Sequence, residues 1–146
     1  MAIKILRTAY VVTDMERSLK FYRDLLGLQI MRDRIRSGPS YEGFLEVPGL
    51  EIRVVLLHDK PDGSLIELVQ YLKPTSSRVQ QKHWDIGAAN TCFVVDDLAG
   101  LLSRLREAGM KCPADSTDFV QEGKSVGRIV MVRDPDDIPV VLFQPA

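Results

Sequence analysis

The sequence predicts an α+β protein in which two tandem βαβββ modules form an open, curved mixed sheet barrel around a central cavity. The first observation is an internal repeat, because the strand, acidic cap and amphipathic helix that begin at Thr8 return at Thr91. The second is that a Pro-Asp turn and a strand ending in Gln70 recur 74 residues later and end in Gln144. One face of each sheet is covered by its helix, so the two bare faces are expected to enclose the cavity.

Size and charge limit the possible functions. At 146 residues with 45% hydrophobic content, the chain is long enough to bury a full core. Nineteen basic and twenty acidic residues leave a formal charge of −1. A balance of this kind favours neither a nucleic-acid partner nor a membrane partner.

The cysteines and the apolar segments indicate the compartment. Cys92 and Cys112 are too few and too widely spaced for a disulfide framework or a zinc site, and we interpret both as reduced core thiols. No segment is typical of a signal peptide or a membrane span. We therefore expect a cytoplasmic protein.

The two modules open in the same way, with a strand followed by a helix. Strand-like runs are predicted over residues 3–12 and 90–95, and amphipathic helices over residues 15–26 and 98–108. Thr13 and the residue three positions later form a capping-box pattern at the first helix, and Asp14 is a second possible cap. The first helix is one residue longer than the second between its acidic cap and its terminal glycine.

The remainder of the first module is predicted as strands with one long interruption. Strands are expected over residues 28–32, 44–47, 52–57 and 64–71. Residues 33–43 are rich in Arg, Gly, Ser and Pro and are predicted to form a loop. This loop is a candidate lid over a pocket. The alternative is an exposed surface loop that leaves the side chains of Arg32, Arg34 and Arg36 in water.

The domain organisation follows from the repeat. Residues 1–146 are expected to form one domain, with the first module at 1–72, a linker at 73–85 and the second module at 86–146. Further strands of the second module are predicted near residues 120–122, 128–132 and 139–144.

Residues that alternate with the helix-facing positions are expected to line the cavity. On the first and last strands of the two modules, this interior set is Arg7, Ala9, Val11, Glu67, Val69, Asn90, Cys92, Val94, Val141 and Phe143.

Four segments carry a resemblance to a known family. They read VVTDMERSLKFYRDLLGL, LIELVQY, FVVDDLAGLLSRLREAG and DPDDIPVVLFQ, and together they resemble the vicinal oxygen chelate superfamily over nearly the whole chain. This superfamily includes glyoxalase I, extradiol dioxygenases and bleomycin-resistance proteins. The resemblance implies the paired-module fold and a homodimer, but these motifs do not specify a substrate.

The resemblance also implies where a metal would bind. Metal-dependent members carry a ligand seven residues before the acidic end of each first strand and a Glu in each last strand. Here those positions are Arg7, Asn90, Glu67 and Val141. Because a guanidinium repels a cation and Val offers no lone pair, no metal and no other cofactor is predicted.

The same four positions suggest a polar pocket. Arg7 and Glu67 are predicted to form a charge pair, and either they bind a ligand or they only neutralise each other. If the site is catalytic, Glu67 is the candidate general base and Arg7 the anion clamp. The candidate ligand-binding residues are Arg7, Glu67, Asn90, Val141, Cys92 and Phe143.

Two classes of function remain open. The first is a binding protein that holds a small aromatic or polycyclic organic molecule without a metal. The second is an enzyme of the superfamily, a lyase, an isomerase or a dioxygenase, which is either metal-free with Glu67 as the base or has an atypical metal site.

Overall fold

The computed structural model describes residues 2–146, which divide into two compact units. One unit ends at Arg78 and the other runs from Val79 to Ala146, so the division falls inside the segment expected to be the linker. Each unit holds a four-stranded mixed sheet. The second unit follows the order βαβββ, and the first follows the same order with one further helix between its second and third strands. The predicted α+β class and the two modules are therefore confirmed. No helix within residues 2–146 has the length and apolar character needed to cross a membrane.

The first unit has four strands and two helices. In chain order they are β1 (Thr8–Val11), α1 (Met15–Leu19, continued as a π-helix over Lys20–Leu25), β2 (Gln29–Ser37), α2 (Pro39–Leu45), β3 (Glu51–His58) and β4 (Leu65–Lys73). The spatial order is β1-β4-β3-β2, with β1 parallel to β4 and the other pairs antiparallel.

The second unit repeats this arrangement with a single helix. Its elements are β5 (Thr91–Val94), α3 (Leu98–Glu107), β6 (Thr117–Gln121), β7 (Lys124–Arg133) and β8 (Pro139–Pro145). The spatial order is β5-β8-β7-β6, and β5 is parallel to β8. Strands β6 and β7 meet at a tight turn in which Glu122 and Gly123 have φ of 50° and 77°. Strands β5, β7 and β8 lie where strands were predicted, although β7 is longer than expected. Strand β6 was predicted for residues 120–122 but begins three residues earlier and ends at Gln121.

The first strand is shorter than predicted. Only Thr8–Val11 is extended and paired, with parallel partners on β4 from Ile66 to Val69, and β4 itself begins only one residue before Ile66. The expected residues 3–7 lie outside the sheet, and the side chains of Ile3 and Ile5 are 88% and 87% exposed. The alternation of apolar residues therefore predicted strand β1, but its first residue is set by where its partner strand β4 begins.

Residues 33–47, which were predicted as a loop followed by a strand, contain the end of strand β2 and helix α2. Strand β2 continues to Ser37, and residues 39–45 form helix α2, so the loop predicted for 33–43 and the strand predicted for 44–47 were both wrong. Gly38 adopts φ of 95° at the break, and Pro39 then occupies the first turn of α2, where its missing N–H costs nothing. The excess residues of the first module are thus an ordered helix between β2 and β3.

Equivalent hydrogen bonds hold the two main helices onto their sheets. Asp14 caps α1 by accepting from the Arg17 N–H at 3.0 Å, so of the two possible caps, Thr13 and Asp14, the helix uses Asp14. Asp97 caps α3 through the Gly100 N–H at 2.9 Å. In addition, a glutamine from the last strand accepts the first helical N–H: Gln70 from Met15 at 2.9 Å and Gln144 from Leu98 at 2.8 Å.

We expect Gln70→Ala and Gln144→Ala each to lower the free energy of unfolding by about 1–2 kcal/mol. Each change leaves a helix N–H without its acceptor beside a buried side chain, since Met15 and Leu98 are both 1% exposed. Chemical denaturation followed by circular dichroism measures the effect. The exposed Gln121 serves as the control, and Gln121→Ala should change stability by less than about 0.5 kcal/mol. Losses no larger than this control would show that the glutamines do not anchor the helices.

The extra residue of the first helix is absorbed by its π-helical turn. Lys20–Leu25 form a π-helix, in which a backbone N–H donates to the carbonyl five residues back instead of four. The Leu26 N–H, for example, donates to the Phe21 carbonyl at 3.0 Å. Two of its side chains are buried, because Phe21 and Tyr22 are both 0% exposed and their rings meet edge to face at 5.0 Å. This irregular turn therefore contributes two aromatic side chains to the core of the first unit.

Candidate binding site

A cavity of about 590 Å³ lies on the bare face of the first sheet. Its floor comes from side chains that alternate with the helix-facing ones, as the strand periodicity predicts. The floor residues and the arginines of the edge strand β2 form three cross-strand rows: Arg32 with Leu56 and Glu67, Arg34 with Val54 and Val69, and Arg36 with Ile52 and Tyr71.

Helix α2 supplies one wall of this cavity. Tyr41, Phe44 and Leu45 line it, and Tyr41 and Leu45 also pack against the buried cluster that contains Ile52. The guanidinium of Arg36 lies 5.9 Å from the centre of the Tyr41 ring, within cation–π range. The segment therefore borders the cavity as a strand and a helix, not as the loop that was considered as a lid, and Arg32 and Arg34 are exposed, as in the alternative interpretation.

Arg7 and Glu67 meet inside this cavity. Arg7 Nε lies 2.7 Å from Glu67 Oε2, so the charge pair proposed from the sequence is present. Glu67 is in the middle of β4 and its side chain is 16% exposed, whereas that of Arg7, just before β1, is 37% exposed. The carboxylate is thus held by a guanidinium that solvent still reaches.

The residues at the family's metal positions do not fit a divalent cation. In the first unit, the one carboxylate, Glu67, is bound to the Arg7 guanidinium, which repels a cation. Among residues 2–146, no group of three or more His, Cys, Asp or Glu side chains is arranged to hold a metal ion. No chemical step is therefore assigned to a metal in this site.

The other four predicted site residues belong to the second unit. Cys92 and Val141 are register partners on β5 and β8, and Asn90 is an exposed residue just before β5. Phe143 contacts the Phe119 ring edge to face, with centroids 5.9 Å apart. None of the four lines the cavity of the first unit.

The cysteine interpretation needs correction, because neither thiol is a core residue. Cys92 is exposed on the side of β5 that alternates with its more buried positions, and Cys112 is half-buried after α3. Desolvation around the sulfur raises the pKa of the Cys92 thiol. The thiol form is therefore favoured over the reactive thiolate.

Several cavity residues were not among the predicted site residues. Arg32 was predicted at the end of a strand, and Arg34 and Arg36 were assigned to a loop. Their spacing at 32, 34 and 36 is the two-residue period of a strand and was available as a signal. The aromatic wall from α2 had no comparable signal, because residues 39–45 are too short for helical periodicity to be clear.

Paired βαβββ modules, with a cavity on the bare sheet face, define the class of protein as glyoxalase-like. The chain belongs to the Glyoxalase/Bleomycin resistance protein/Dioxygenase superfamily, whose family model matches residues 4–142. The resemblance noted from the sequence is therefore confirmed.

Individual relatives agree with this assignment. The chain is 27% identical over 143 residues to a protein of Vibrio parahaemolyticus named "Probable lactoylglutathione lyase", covering 97% of this chain and 90% of that protein. A glyoxalase family protein from Bacillus cereus has a similar structure, with a TM-score of 0.81, 21% identity and coverage of 98% and 96% of the two chains. A trypanothione-dependent glyoxalase I from Leishmania major gives a TM-score of 0.67 at 21% identity, covering 98% and 87%. At these identities the two structures support the fold alone.

Proposed function

We propose that this protein binds a small aromatic or polycyclic organic molecule in the cavity of its first module, without a metal. The observation that carries the proposal is a cavity of about 590 Å³ with an apolar floor formed by three strands. Organic ligands typically occupy clefts of roughly 300–1,000 Å³ lined mostly by apolar side chains with a few polar groups.

The cavity lining suits a flat, apolar ligand. Val54 and Val69 present branched side chains from the centre of the sheet, and Tyr41, Phe44 and Tyr71 add aromatic rings at the margins. Stacking against such rings favours aromatic ligands. Phe44 is 74% exposed, so a ligand that covers it would remove apolar surface from water.

The Arg7–Glu67 pair favours binding over catalysis. Glu67 Oε2 lies 2.7 Å from Arg7 Nε, so this oxygen is already engaged by a guanidinium and is not free to contact a proton on a bound substrate. The alternative remains an enzyme in which Glu67 is the base, and the name of the Vibrio parahaemolyticus relative makes lactoylglutathione lyase activity the first to assay. Turnover by this protein that Glu67→Gln abolishes would favour that alternative.

The proposal also places the protein in the cytoplasm as a homodimer. In support, β1 and β2 are the edges of the first sheet and β5 and β6 those of the second. Association of two copies is a common way to cover such edges.

We expect the neutral fluorophore N-phenyl-1-naphthylamine to bind the wild-type protein and Ala9→Phe to weaken that binding about tenfold, a change of 1.4 kcal/mol. Ala9 lines the cavity beside Glu67, so a phenyl ring there takes up the space that the probe needs. Fluorescence titration of the folded protein measures the affinity.

The matched control is Ala99→Phe, which adds the same group at an exposed position on α3. It should change the affinity for the probe by less than about twofold. An equal loss in both variants would place the probe outside the cavity, and no binding by the wild type would contradict the proposed function.

A further inference from the structure

Strand β2 carries three arginines on the face that lines the cavity. Arg32, Arg34 and Arg36 alternate with residues that face the other way, so neighbouring arginines are about 7 Å apart along the strand. Asp33, on the opposite face, is bound by Arg53 through contacts of 3.0 and 2.7 Å. The hydrogen bond from Arg53 lowers the pKa of the Asp33 carboxyl, which keeps the only acidic residue of β2 ionised and engaged away from the cavity.

These arginines are not held in ion pairs with other residues that the structure describes. Within residues 2–146 none of the three forms an ion pair; Arg34 donates to the Asp33 carbonyl at 2.8 Å, and Arg36 lies over the Tyr41 ring. The one acidic residue that lines the cavity, Glu67, is already paired with Arg7.

The lining of the cavity therefore carries a net positive charge. Its lining contains four arginines and one glutamate, a formal charge of +3, whereas the whole chain has a formal charge of −1. Clefts of one sign with low-dielectric walls raise the local concentration of oppositely charged ligands. Arg32 and Arg34 also adjoin Leu56 and Val54 in the sheet, so charge and apolar surface lie side by side.

We propose that the ligand is an amphiphilic organic anion, whose phosphate or carboxylate is bound by Arg32 and Arg34 and whose apolar body lies over Val54 and Val69. This inference rests on the proposed function and adds the chemical class of the ligand. Guanidinium groups are well suited to it, because their planar N–H donors match both phosphate and carboxylate oxygens. If the arginines instead serve only to discourage pairing at the edge of the sheet, their charge has no effect on ligand binding.

Two probes that differ by one anionic group test the proposal on the full chain. The anionic 8-anilino-1-naphthalenesulfonate and the neutral N-phenyl-1-naphthylamine share the same aromatic body. The wild type should bind the anionic probe at least about tenfold more tightly, and added salt should reduce this preference by screening the arginines. Arg34→Gln should weaken binding of the anionic probe about tenfold and change that of the neutral probe less than twofold.

Two control variants separate this effect from a general change of charge or fold. Arg34→Lys keeps the charge and should retain most of the preference for the anionic probe. Arg104→Gln removes the same charge from an exposed position on α3 and should change neither affinity more than about twofold. Because Arg34 is exposed, its variants should unfold at the same denaturant concentration as the wild type.

The outcomes distinguish the two proposals. If the neutral probe binds in the cavity but the anionic probe binds no more tightly, the proposed function stands and the anionic ligand is excluded. An equal effect of Arg34→Gln on both probes also overturns the inference. Competition with 1-naphthyl phosphate and 1-naphthoate then identifies the acidic group, as the better competitor should lose its advantage in Arg34→Gln.

Discussion

Phe21→Ala should lower the free energy of unfolding by about 3–5 kcal/mol, the range seen when a buried aromatic side chain is truncated in a well-packed core. Phe21 is 0% exposed within the π-helical turn, and its ring meets that of Tyr22 at 5.0 Å. The change removes that edge-to-face contact and leaves a cavity that a helix anchored at its start by Asp14 and Gln70 cannot close. Denaturant unfolding followed by circular dichroism measures the loss.

Phe44→Ala is the matched control, because it makes the same substitution at a residue that is 74% exposed on α2. Its effect on unfolding should be smaller than about 0.5 kcal/mol. If the two variants were equally stable, the packing described for the first unit would be wrong.

Arg7→Met should cost about 2 kcal/mol of unfolding free energy, between the values for exposed and for fully buried ion pairs. The substitution leaves the Glu67 carboxylate, 16% exposed, beside apolar side chains without its counter-charge. Since the Arg7 side chain is 37% exposed, water compensates for part of the loss, and the effect should be below the 3–5 kcal/mol typical of breaking a buried pair.

A double-mutant cycle with Glu67→Gln isolates the interaction between the two side chains. The double variant should lose less unfolding free energy than the sum of the two single variants, because no unpaired charge is left in the cavity when both side chains are neutral. Arg23 and Asp24 provide the control pair, with the same 2.7 Å contact but side chains that are 40% and 49% exposed. A coupling for Arg7 and Glu67 no greater than for this surface pair would mean that Glu67 is solvated without Arg7.

The features that the sequence predicted are those that recur in it. The equivalence of Gln70 and Gln144, visible as a constant separation, appears in the structure as two glutamines that accept the first N–H of their helices. Helix α3 was placed within one residue of its end, because Asp97 and the leucine stripe mark it clearly. Features present in one module only, such as α2, had no second copy to support them and were missed.

The candidate site was predicted only in part, for the same reason. Alternation along the first and last strands was enough to bring Arg7 and Glu67 together, since Arg7 directly precedes β1 and β1 is paired in parallel with β4. The three arginines of β2 were not among the predicted site residues, because Arg34 and Arg36 lie in a stretch with Ser, Gly and Pro that is typical of a loop. The pairing of β2 with β3 is what extends the strand through them. Pairing of this kind depends on residues some 20 positions away and cannot be inferred from local propensity.

The π-helical turn bears on the history of the chain. Gly27 lies 13 residues after Asp14, whereas Gly109 lies 12 residues after Asp97, so one copy has gained or lost a single amino acid since duplication. In a regular α-helix such an insertion rotates every later side chain by about 100° and moves buried groups into water. Here the widened turn takes up the extra residue, and both helices still end at a glycine of positive φ. An alignment of the two halves should therefore place its gap within Lys20–Leu25 rather than in a loop.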